Sequence, residues 1–540
     1  MRARLVELAA VVVISSCLAI AMTWPLAARI GEVGRVDNAD GQFAIWNVGW
    51  VARTLVVDPL HVFDANIFYP HKRTLAYSDA NLGAGTLAIP AYWATGSAIT
   101  AHNVVVLLGF VLTATSTYYL VGFLTCDRGA AAVSAICFTF TPFVFAHTSH
   151  IQLLMTAGLP LSMLMFHRLI EDVSPGRGAA LGAAMVATAL LCGYYGVFAI
   201  LMIGYSVVIV AATRRWWLNR KYWVSLAVGA AVALVLITPV FLPYLSLQRE
   251  TGFERSLSDA RPFSANWSDY LASASNAHAW MLGYLPQWID VSFPGFIASV
   301  FALAGAWIAY KRRRNELLAI YGGIAVLACW ASFGPAGGLY SVLYGAVPLF
   351  TWLRAPSRFG IVVVFAIAVL AGVGVSAFLS RVANRRLIAV LVAIVAVVEL
   401  RVSFVWRDVP PFDPVYHTLA AQPPGPVIEL PFYYLRSMFP LHAAYMLSST
   451  THWMPIVNGY SDFFPQDFRN NVLTLAPFPT VPAMKLLEPG RVRYAVFHMG
   501  GYNNDNRRDV EARLMELNQY FRPLYVSDQT RLYEIVGYPP

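Results

Sequence analysis

The sequence predicts a membrane all-α protein, a polytopic bundle of about eleven transmembrane helices, with a small α/β domain at its C-terminal end. Three observations predict this class. Of the 540 residues, 58% are hydrophobic and only 12% are charged, a composition far too apolar for a soluble enzyme. The apolar residues collect in segments of about 20 residues, the length that crosses a hydrocarbon core. The last part of the chain is more polar and alternates short strand-like and helix-like runs.

The apolar segments can be placed one by one along the chain. We expect spans at about Leu5–Leu26, Ala101–Leu124, Gly129–Ala146, Ile151–Phe166, Gly178–Gly193, Tyr195–Ala212, Val224–Leu245, Val291–Tyr310, Leu317–Phe333, Gly360–Ser380 and Leu387–Val402. A further apolar segment, Leu82–Ile99, carries three glycines and Pro90. Because these residues weaken a regular helix, the segment is interpreted as a half-inserted or interfacial helix, with a twelfth span as the alternative.

Basic residues predict the orientation of these spans. They occur in short runs at Arg2 and Arg4, Arg128, Arg168 and Arg177, Arg214–Arg215 with Arg220–Lys221, Lys311–Arg314, and Arg381 with Arg385–Arg386. All runs fall on one side of the membrane if the spans are counted as above, and loops rich in Lys and Arg stay cytoplasmic. The N-terminus is then cytoplasmic, and four long segments lie outside: Ala27–Thr100, Ser246–Asp290, Gly334–Phe359 and the C-terminal region from Ser403. The net charge of +9 therefore reflects topology, and no nucleic-acid partner is expected.

Cysteines and phosphate-loop motifs exclude further classes. The five cysteines all fall in predicted spans or at the inner face: Cys17, Cys126, Cys137, Cys192 and Cys329. The outer segments thus carry no disulfide framework. The sequence contains no C-x-x-C pair, no His/Cys zinc spacing and no G-x-x-x-x-G-K-[ST] loop, which argues against ATP-driven transport by this chain. The segment around Pro25 is a poor signal-peptide cleavage site, so we expect the first apolar helix to remain as a span.

The first outer loop carries the most informative residues. Asp37 and Asp40 follow the first apolar helix in a chain with few acids near its spans. The residues from Asp40 to His61 predict an amphipathic helix in the membrane interface, with Trp46 and Trp50 at headgroup depth. Asp37 or Asp40 would cap this helix. A catalytic carboxylate at the outer membrane face is the other interpretation, and the residues alone leave both open.

Two short motifs in this loop resemble those of a known superfamily. One has the form D-x-x-x-x-x-W-x-x-x-W, and the other joins an Asn to a Tyr-Pro-His element. The residues that match them are Asp40, Trp46, Trp50, Asn66, Tyr69, Pro70 and His71. Together with the span count and the C-terminal outer domain, they resemble a bacterial branch of the GT-C superfamily, integral membrane glycosyltransferases that use polyprenyl-phosphate sugars. The likeness covers about residues 1–400.

The resemblance implies an activity and a location. It implies an enzyme, a membrane glycosyltransferase that moves a hexose or pentose, with inversion, from a polyprenyl-phosphate donor to an acceptor. The acceptor is a cell-envelope glycan, a lipid or a protein on the extracytoplasmic side of a bacterial inner or plasma membrane. In this superfamily the first-loop Asp acts as a general base or as a metal or acceptor contact. That role is carried over to Asp40, with Asp37 as second choice.

The chain departs from the superfamily between the third and fourth spans. Many members carry an acidic pair there, whereas this chain has His147 and His150. The departure leaves a divalent metal possible but unsupported. The two histidines, at i and i+3, are candidates for donor-phosphate contact or proton transfer. Interfacial hydrogen bonding is the alternative role.

A departing lipid phosphate needs positive charge. Arg354 and Arg358 lie at the outer end of the tenth predicted span, and guanidinium forks bind phosphate bidentately. Snorkelling to lipid headgroups would explain them equally well, and Lys72 with Arg73 is a weaker pair. The residues expected to line the site or contact the acceptor are Trp46, Trp50, Tyr69, His71, Tyr194 and Tyr195.

Two other functional classes share this topology. A polytopic transporter or lipid flippase usually keeps ionisable residues near mid-membrane, whereas the charges here lie at span ends, with Glu399 the nearest exception. A non-catalytic envelope-assembly protein would have no need of Asp40.

The C-terminal region is predicted to be a domain of its own. We expect a membrane domain at residues 1–404, including the first loop, and an α/β domain at 405–540. Val427–Pro431, Arg493–His498 and Arg531–Val536 predict strands, and Asp509–Tyr520 predicts a helix. Without a nucleophile elbow or metal motif, this domain is interpreted as a lid or an acceptor-binding element.

Overall fold

The chain divides into two compact units. The computed structural model describes residues 2–313, 315–403 and 406–540. The helical unit comprises Met1–Ala28 and Val105–Val405, and the loop-and-tail unit comprises Arg29–Val104 and Trp406–Pro540. The predicted domain boundary between residues 404 and 405, and Arg314 of the basic run, lie outside the described residues.

The helical unit is built from long apolar helices and shorter connecting ones. Its described helices are Arg2–Met22, the greater part of Ala98–Thr125, Arg128–Thr139, Pro142–Ala146, Ile151–Leu154, Gly158–Glu171, Pro175–Leu191, Gly193–Thr213, Arg220–Thr251, Ala279–Leu282, Phe296–Lys311, Asn315–Ser332, Gly334–Gly337, Leu339–Ala346, Gly360–Leu379 and Arg385–Glu399. In the described part of the chain, seven helices are long and apolar enough to cross a membrane. The chain is therefore a multi-pass membrane protein.

Each predicted span overlaps a helix, but the helices differ in length. Four predicted spans correspond to helices that are not among the seven candidate membrane helices. These four are Gly158–Glu171 with 14 residues, Pro175–Leu191 with 17, Phe296–Lys311 with 16 and Arg385–Glu399 with 15. Such helices are near or below the lower limit of about 17 residues for crossing a bilayer without thinning it. The count of about eleven spans thus stays a prediction.

The fourth predicted span, Ile151–Phe166, is not a continuous helix, so that prediction was wrong. The structure has a short helix, Ile151–Leu154, and a second helix that begins at Gly158. Pro160 explains the break, because it lacks the N–H that a continuous helix would bond to the carbonyl of residue 156. The new helix places Pro160 in its first turn, where that N–H needs no partner.

Close helix packing in this unit depends on small residues. Gly305, in Phe296–Lys311, faces Gly374, in Gly360–Leu379. A Cβ on Gly305 would lie 2.0 Å from the carbonyl oxygen of Leu370, and one on Gly374 would lie 2.0 Å from that of Phe301. Without these side chains the two backbones approach directly, as small residues allow in membrane helix pairs. The helix Gly360–Leu379 is buried on nearly all sides and forms the centre of the unit.

The loop-and-tail unit contains the helices Ala39–Val57, Leu82–Thr95, Pro414–Ala420, His442–Ser448, Gln466–Leu475, Val481–Leu487 and Asn504–Glu516. Four strands form its main sheet in the order Val427–Leu430, Tyr494–His498, Thr530–Ile535 and Phe521–Val526. The first pair is parallel and the other two pairs are antiparallel. The three strands predicted from sequence are confirmed. The helix predicted at Asp509–Tyr520 begins earlier, at Asn504.

The first loop folds together with the tail. Val33–Gly34 pairs with Arg407–Asp408 in a two-stranded sheet, and the carbonyl of Asn66 accepts a hydrogen bond from Ile456 N. The sequence had assigned the loop to the membrane domain and the tail to a separate domain. Short backbone pairings between distant segments leave no periodic signal, so the sequence could not show them.

Two expectations about the loop helices change. Leu82–Thr95 has 14 residues and ends at Gly96, whose φ of +69° suits glycine, and it is absent from the candidate spans of the described chain. Trp46 and Trp50 are buried among protein side chains, so they do not face lipid headgroups as belt residues of an amphipathic helix would; their depth in the membrane stays a prediction. The helix Ala39–Val57 packs against both Leu82–Thr95 and His442–Ser448, so more than one of its faces is covered by protein.

Candidate functional site

Asp40 lies in the first turn of the helix Ala39–Val57. Its side chain is half-buried, and its Oδ1 accepts a hydrogen bond of 2.9 Å from the hydroxyl of Tyr460. The partial positive charge of a helix N-terminus also favours a carboxylate there. Tyr460 was missed by sequence reasoning, since it lies 420 positions away and no motif surrounds it.

The cap of this helix is neither of the predicted residues. Asn38 occupies the cap position, and its Oδ1 accepts the N–H of Gly41 at 2.9 Å. The prediction that Asp37 or Asp40 caps the helix is therefore wrong. The carboxylate of Asp40 accepts the hydroxyl of Tyr460, and the cap position belongs to Asn38.

Asp37 is held differently from Asp40. It is exposed and forms an ion pair with Arg35 at 3.0 Å. Partial burial raises the pKa of the Asp37 carboxyl, but the hydrogen bond and charge of Arg35 outweigh that effect and lower the pKa overall. A carboxylate stabilised in this way is a poor proton acceptor, which favours Asp40 over Asp37 as a base.

The two loop motifs meet inside the loop-and-tail unit. Trp46 Nε1 donates to Asn66 Oδ1 at 2.9 Å, and Asn66 Nδ2 donates to Ser449 Oγ and to the carbonyl of Met454, each at 3.1 Å. All these groups are buried. Trp50 Nε1 donates to the carbonyl of Val62 at 2.8 Å. Trp46 and Asn66 thus form a polar connection to the tail through the interior of the unit, and Trp50 forms a separate bond within the first loop.

Tyr69 and His71 join the loop to other parts of the tail. The hydroxyl of Tyr69 donates to the carbonyl of Gly490 at 3.0 Å. His71 Nε2 lies 2.9 Å from a carboxylate oxygen of Asp467. Both contacts lie near the unit's surface and hold two of its segments together. Their expected role in contacting an acceptor stays a prediction.

In the helical unit, His147 is paired with an acid that the sequence did not indicate. Its Nδ1 lies 2.8 Å from the carbonyl oxygen of Phe143, and its Nε2 lies 3.7 Å from Oδ2 of Asp290. The rings of His147 and His150 are 6.4 Å apart, so the i, i+3 pair is adjacent as expected. The acid that this region lacks in sequence is supplied by a later loop.

Asp290 is itself held in place by a buried carboxylate. Asp269 is fully buried and accepts the backbone N–H groups of Ile289 at 2.6 Å, Asp290 at 3.1 Å and Asn266 at 2.8 Å. Burial raises the pKa of Asp269, and the backbone donors offset only part of that effect. The N–H groups of Ile289 and Asp290 tie that segment to Asp269. A polar loop around Asn266 was the only signal in the sequence.

The predicted arginines and tyrosines come together in the same unit. The guanidinium carbon of Arg358 lies 4.3 Å from the ring centroid of Tyr194, and the hydroxyl of Tyr194 accepts the backbone N–H of Arg354 at 3.0 Å. Arg354 lies over the ring of Phe263 at 5.4 Å. Tyr195 is buried and donates to the carbonyl of Leu153 at 2.7 Å. Both arginine side chains remain half-exposed, and each guanidinium group lies over an aromatic ring.

Two charged groups lie within electrostatic range of the Tyr195 hydroxyl, namely Arg358 and Asp290. This places the arginine and the His147–Asp290 pair in one neighbourhood of the helical unit. The sequence had proposed Arg358 and His147 together as candidates for binding the donor phosphate, but it did not indicate Asp290.

Glu399, the acid nearest to a mid-span position, has a structural role. Its carboxylate accepts the backbone N–H groups of Phe296 and Ile297 and lies 3.0 Å from Nε2 of the buried His278. It thus satisfies donors at the start of the helix Phe296–Lys311. In the residues that the structure describes, no group of three or more His, Cys, Asp or Glu side chains is placed to hold a metal ion.

Comparisons with solved structures give the class of fold. The cryo-EM structure of the arabinofuranosyltransferase AftD from Mycobacteria aligns with 98% of this chain, with a TM-score of 0.56 and 14% identity, and the aligned part is 40% of that chain. This chain thus spans less than half of that enzyme's length. At this identity the likeness shows the fold, and the chain has the GT-C fold that its motifs predicted.

Two further matches are more distant. The oligosaccharyltransferase of Archaeoglobus fulgidus in its apo form aligns with 96% of this chain and 73% of its own, with a TM-score of 0.47 and 12% identity. ArnT from Cupriavidus metallidurans bound to undecaprenyl phosphate aligns with 98% of both chains, with a TM-score of 0.45 and 14% identity. No protein-family model matches the sequence, and no curated protein matches it at a significant level.

Proposed function

We propose that this protein is a membrane glycosyltransferase that moves a sugar from a polyprenyl-phosphate-linked donor to an acceptor hydroxyl on the extracytoplasmic side of the membrane. The observation that carries the proposal is the GT-C fold, shared with AftD over 98% of the chain. The first-loop motif supports the proposal, because Asn38 and not Asp40 caps the helix Ala39–Val57.

Asp40 is the proposed general base. In the transfer, the acceptor oxygen forms a bond to the anomeric carbon, the bond from that carbon to the phosphate oxygen breaks, and the acceptor proton passes to Asp40. Attack from the face opposite the phosphate inverts the anomeric centre. The hydrogen bond from Tyr460 to Oδ1 orients the Asp40 carboxylate towards the acceptor hydroxyl in this proposal.

Arg354 and Arg358 are proposed to bind the carrier phosphate. Their contacts with Phe263 and Tyr194 order both guanidinium groups before a ligand arrives, which lowers the entropic cost of binding. His147 and His150 are the secondary candidates. Headgroup anchoring is the competing role, and it would not need each guanidinium group to lie over an aromatic ring.

A comparison of two carboxamide variants tests the base. Asp40→Asn and Asp37→Asn are purified in proteoliposomes with a panel of polyprenyl-phosphate pentoses and hexoses, and sugar transfer is measured at matched folded amounts. Loss of a general base typically costs about 10²–10⁴ in rate, so Asp40→Asn should transfer almost no sugar while still binding donor. Asp37→Asn is the matched control and should retain most of the activity.

Two outcomes would contradict the proposal. Full transfer by Asp40→Asn would remove Asp40 from the reaction. Movement of intact donor across the bilayer by wild-type protein, without transfer, would favour the flippase class instead.

We also propose that the N-terminus is cytoplasmic and the tail extracytoplasmic, on the basis of the basic runs. Topology reporters fused after Lys311 and after Arg386 should then indicate a cytoplasmic location, and a reporter fused after Pro540 should indicate an extracytoplasmic one. A tail that reads inside would separate Asp40 and Tyr460 from any extracytoplasmic acceptor.

A further inference from the structure

The loop-and-tail unit contains a cavity whose lining includes neither Asp40 nor Tyr460. Its volume is about 300 Å³, and its wall is formed by the segment from Val409 to Asp413, the helix His442–Ser448, the strand residue His498, and Val36 and Gln42 of the first loop. This volume is at the lower end of the range of about 300–1,000 Å³ for small-ligand pockets. It suits a ligand of one or two rings rather than an extended chain.

The polar groups of the wall converge and are held in place. The hydroxyl of Tyr416 lies 3.2 Å from His498 Nε2, and the ring of Tyr445 stacks on the ring of His498 at 5.2 Å. Asp413 accepts the hydroxyl of Thr530 at 2.9 Å. Since each side chain is fixed before a ligand binds, the pocket is preorganised.

A buried carboxylate stands behind this wall. Glu429 is fully buried, and its Oε2 is 2.8 Å from His498 Nε2 and 3.3 Å from the Tyr416 hydroxyl. Among the described residues, its other oxygen, Oε1, has no hydrogen-bond partner. Burial raises the pKa of Glu429, and His498 and Tyr416 offset only part of that effect. A buried acid with an unsatisfied oxygen is costly, and such groups concentrate at functional sites.

The chemistry of the wall selects a class of ligand. Among the described residues, no Lys or Arg lines the cavity, so the wall has no permanent positive charge to stabilise a phosphate or another anion. The groups present are hydroxyls, an imidazole, a carboxylate and an amide, next to apolar surface from Pro410, Pro411 and Phe412. A molecule with several hydroxyl groups that both donate and accept, and with an apolar C–H face, satisfies both kinds of surface.

We infer that this cavity is a binding site for a neutral sugar residue of a glycan, with His498 and Tyr416 contacting its hydroxyl groups and Phe412 contacting its apolar face. The role of this site in catalysis rests on the proposed function. In that function the acceptor is a glycan, and the tail holds one of its sugar residues.

A space-filling variant tests the site without disturbing the core. Ala444 lines the cavity and is exposed, so Ala444→Phe occupies the pocket without removing a packed side chain. The matched control is Ala512→Phe, because Ala512 is an exposed alanine on another helix of the same unit, Asn504–Glu516, and does not line the cavity. His498→Gln is a second variant, which removes the imidazole and leaves the pocket open.

Binding is measured on the full chain in lipid nanodiscs, which contain no sugar detergent. Saturation-transfer NMR with methyl glycosides of neutral pentoses and hexoses should identify at least one ligand. Ala444→Phe and His498→Gln should weaken its binding by about tenfold or more, and Ala512→Phe should leave it unchanged. Glucose 6-phosphate should bind more weakly than the neutral glycosides.

Three results would overturn the inference: no neutral glycoside binds, the glycoside binds equally well to Ala444→Phe, or a polar tetrapeptide binds in place of sugar and is displaced by Ala444→Phe. Sugar transfer is assayed separately. Neutral-sugar binding without transfer activity would contradict the proposed function and retain the site as a sugar site. Transfer activity with no effect of Ala444→Phe on sugar binding would support the proposed function and contradict the sugar site.

Discussion

The hydroxyl of Tyr460 donates a 2.9 Å hydrogen bond to Oδ1 of Asp40, across 420 positions of sequence. The bond joins the tail to the first turn of the motif helix Ala39–Val57. The orientation of the proposed base is therefore set by a residue of the tail. This relationship gives the tail a direct part in the reaction if Asp40 is the base.

Tyr460→Phe is expected to lower the rate of sugar transfer by about tenfold, because a hydrogen bond to a charged group contributes about 1.5–3 kcal/mol and its loss lets the carboxylate rotate. The apparent donor affinity should not change. Steady-state kinetics at varied donor concentration measure both values. The control is Tyr434→Phe, which removes a hydroxyl from a tyrosine that is 46% exposed; equal effects of the two variants would remove Tyr460 from a positioning role.

Asn66→Leu is expected to destabilise the loop-and-tail unit. The substitution leaves the buried Trp46 N–H without its acceptor and Ser449 without its donor, and an orphaned buried group costs about 1–3 kcal/mol. Thermal unfolding of the purified chain measures the change. Adding Trp46→Phe to Asn66→Leu should cost less than the two separate effects combined. Strict additivity would show that the bond between them contributes nothing.

Tyr194→Ala is expected to raise the apparent KM for the polyprenyl donor by about three- to tenfold, because Arg358 loses the ring that orders it. Tyr194→Phe keeps the ring and loses only the hydroxyl that accepts the Arg354 N–H, so its effect should be smaller. Donor titration in proteoliposomes distinguishes them. Tyr284→Ala, at an aromatic side chain that is 82% exposed, serves as control.

Asp290→Asn is expected to reduce transfer by several-fold while the chain stays folded. Asparagine can still accept the backbone N–H of Val291, but it has no charge to pair with His147. Asp269→Asn should instead lower the unfolding temperature, since Asp269 accepts three backbone donors. Activity at wild-type level in a folded Asp290→Asn protein would limit the pair to a structural role.

Acid is expected to destabilise the tail through His442. Its Nδ1 faces the donor Nδ2 of Asn458 at 3.1 Å, and its Nε2 lies 3.2 Å from the carbonyl of Tyr433, so the neutral ring is satisfied on both sides. Burial lowers the pKa of His442 from its ordinary 6.5 to about 4. The unfolded chain then binds the proton first, and stability present above pH 6.5 is lost as the pH falls towards 4.

The size of this effect is up to about 1.4 kcal/mol for each pH unit within that window. Unfolding midpoints of wild type and His442→Gln are compared from pH 7.5 to 4.5. The variant should be less stable at neutral pH but should lose less on acidification. Parallel curves for the two proteins would assign the acid response to other groups.

Hydrophobic length and residue type along the chain predicted the long helices and most of the strands. The seven long apolar helices follow from hydrophobic length, and Val427–Leu430 follows from a run of β-forming residues bounded by prolines. The strand Phe521–Val526 was missed because Pro523 and its polar neighbours hide the pattern; it lies at the sheet edge, where a proline is tolerated. The break before Gly158 follows from Pro160.

The sequence by itself determined a multi-pass membrane protein and predicted its GT-C fold, with Asp40, the arginines and Tyr194 among the candidate residues, because composition, hydrophobic length and motif spacing are all local properties. Only the tertiary structure decided which distant groups meet: Tyr460 with Asp40, Asp290 with His147, and Asn66 with Trp46. Such pairs form because a half-buried or buried polar group needs a partner, and the fold can supply that partner from any position in the chain.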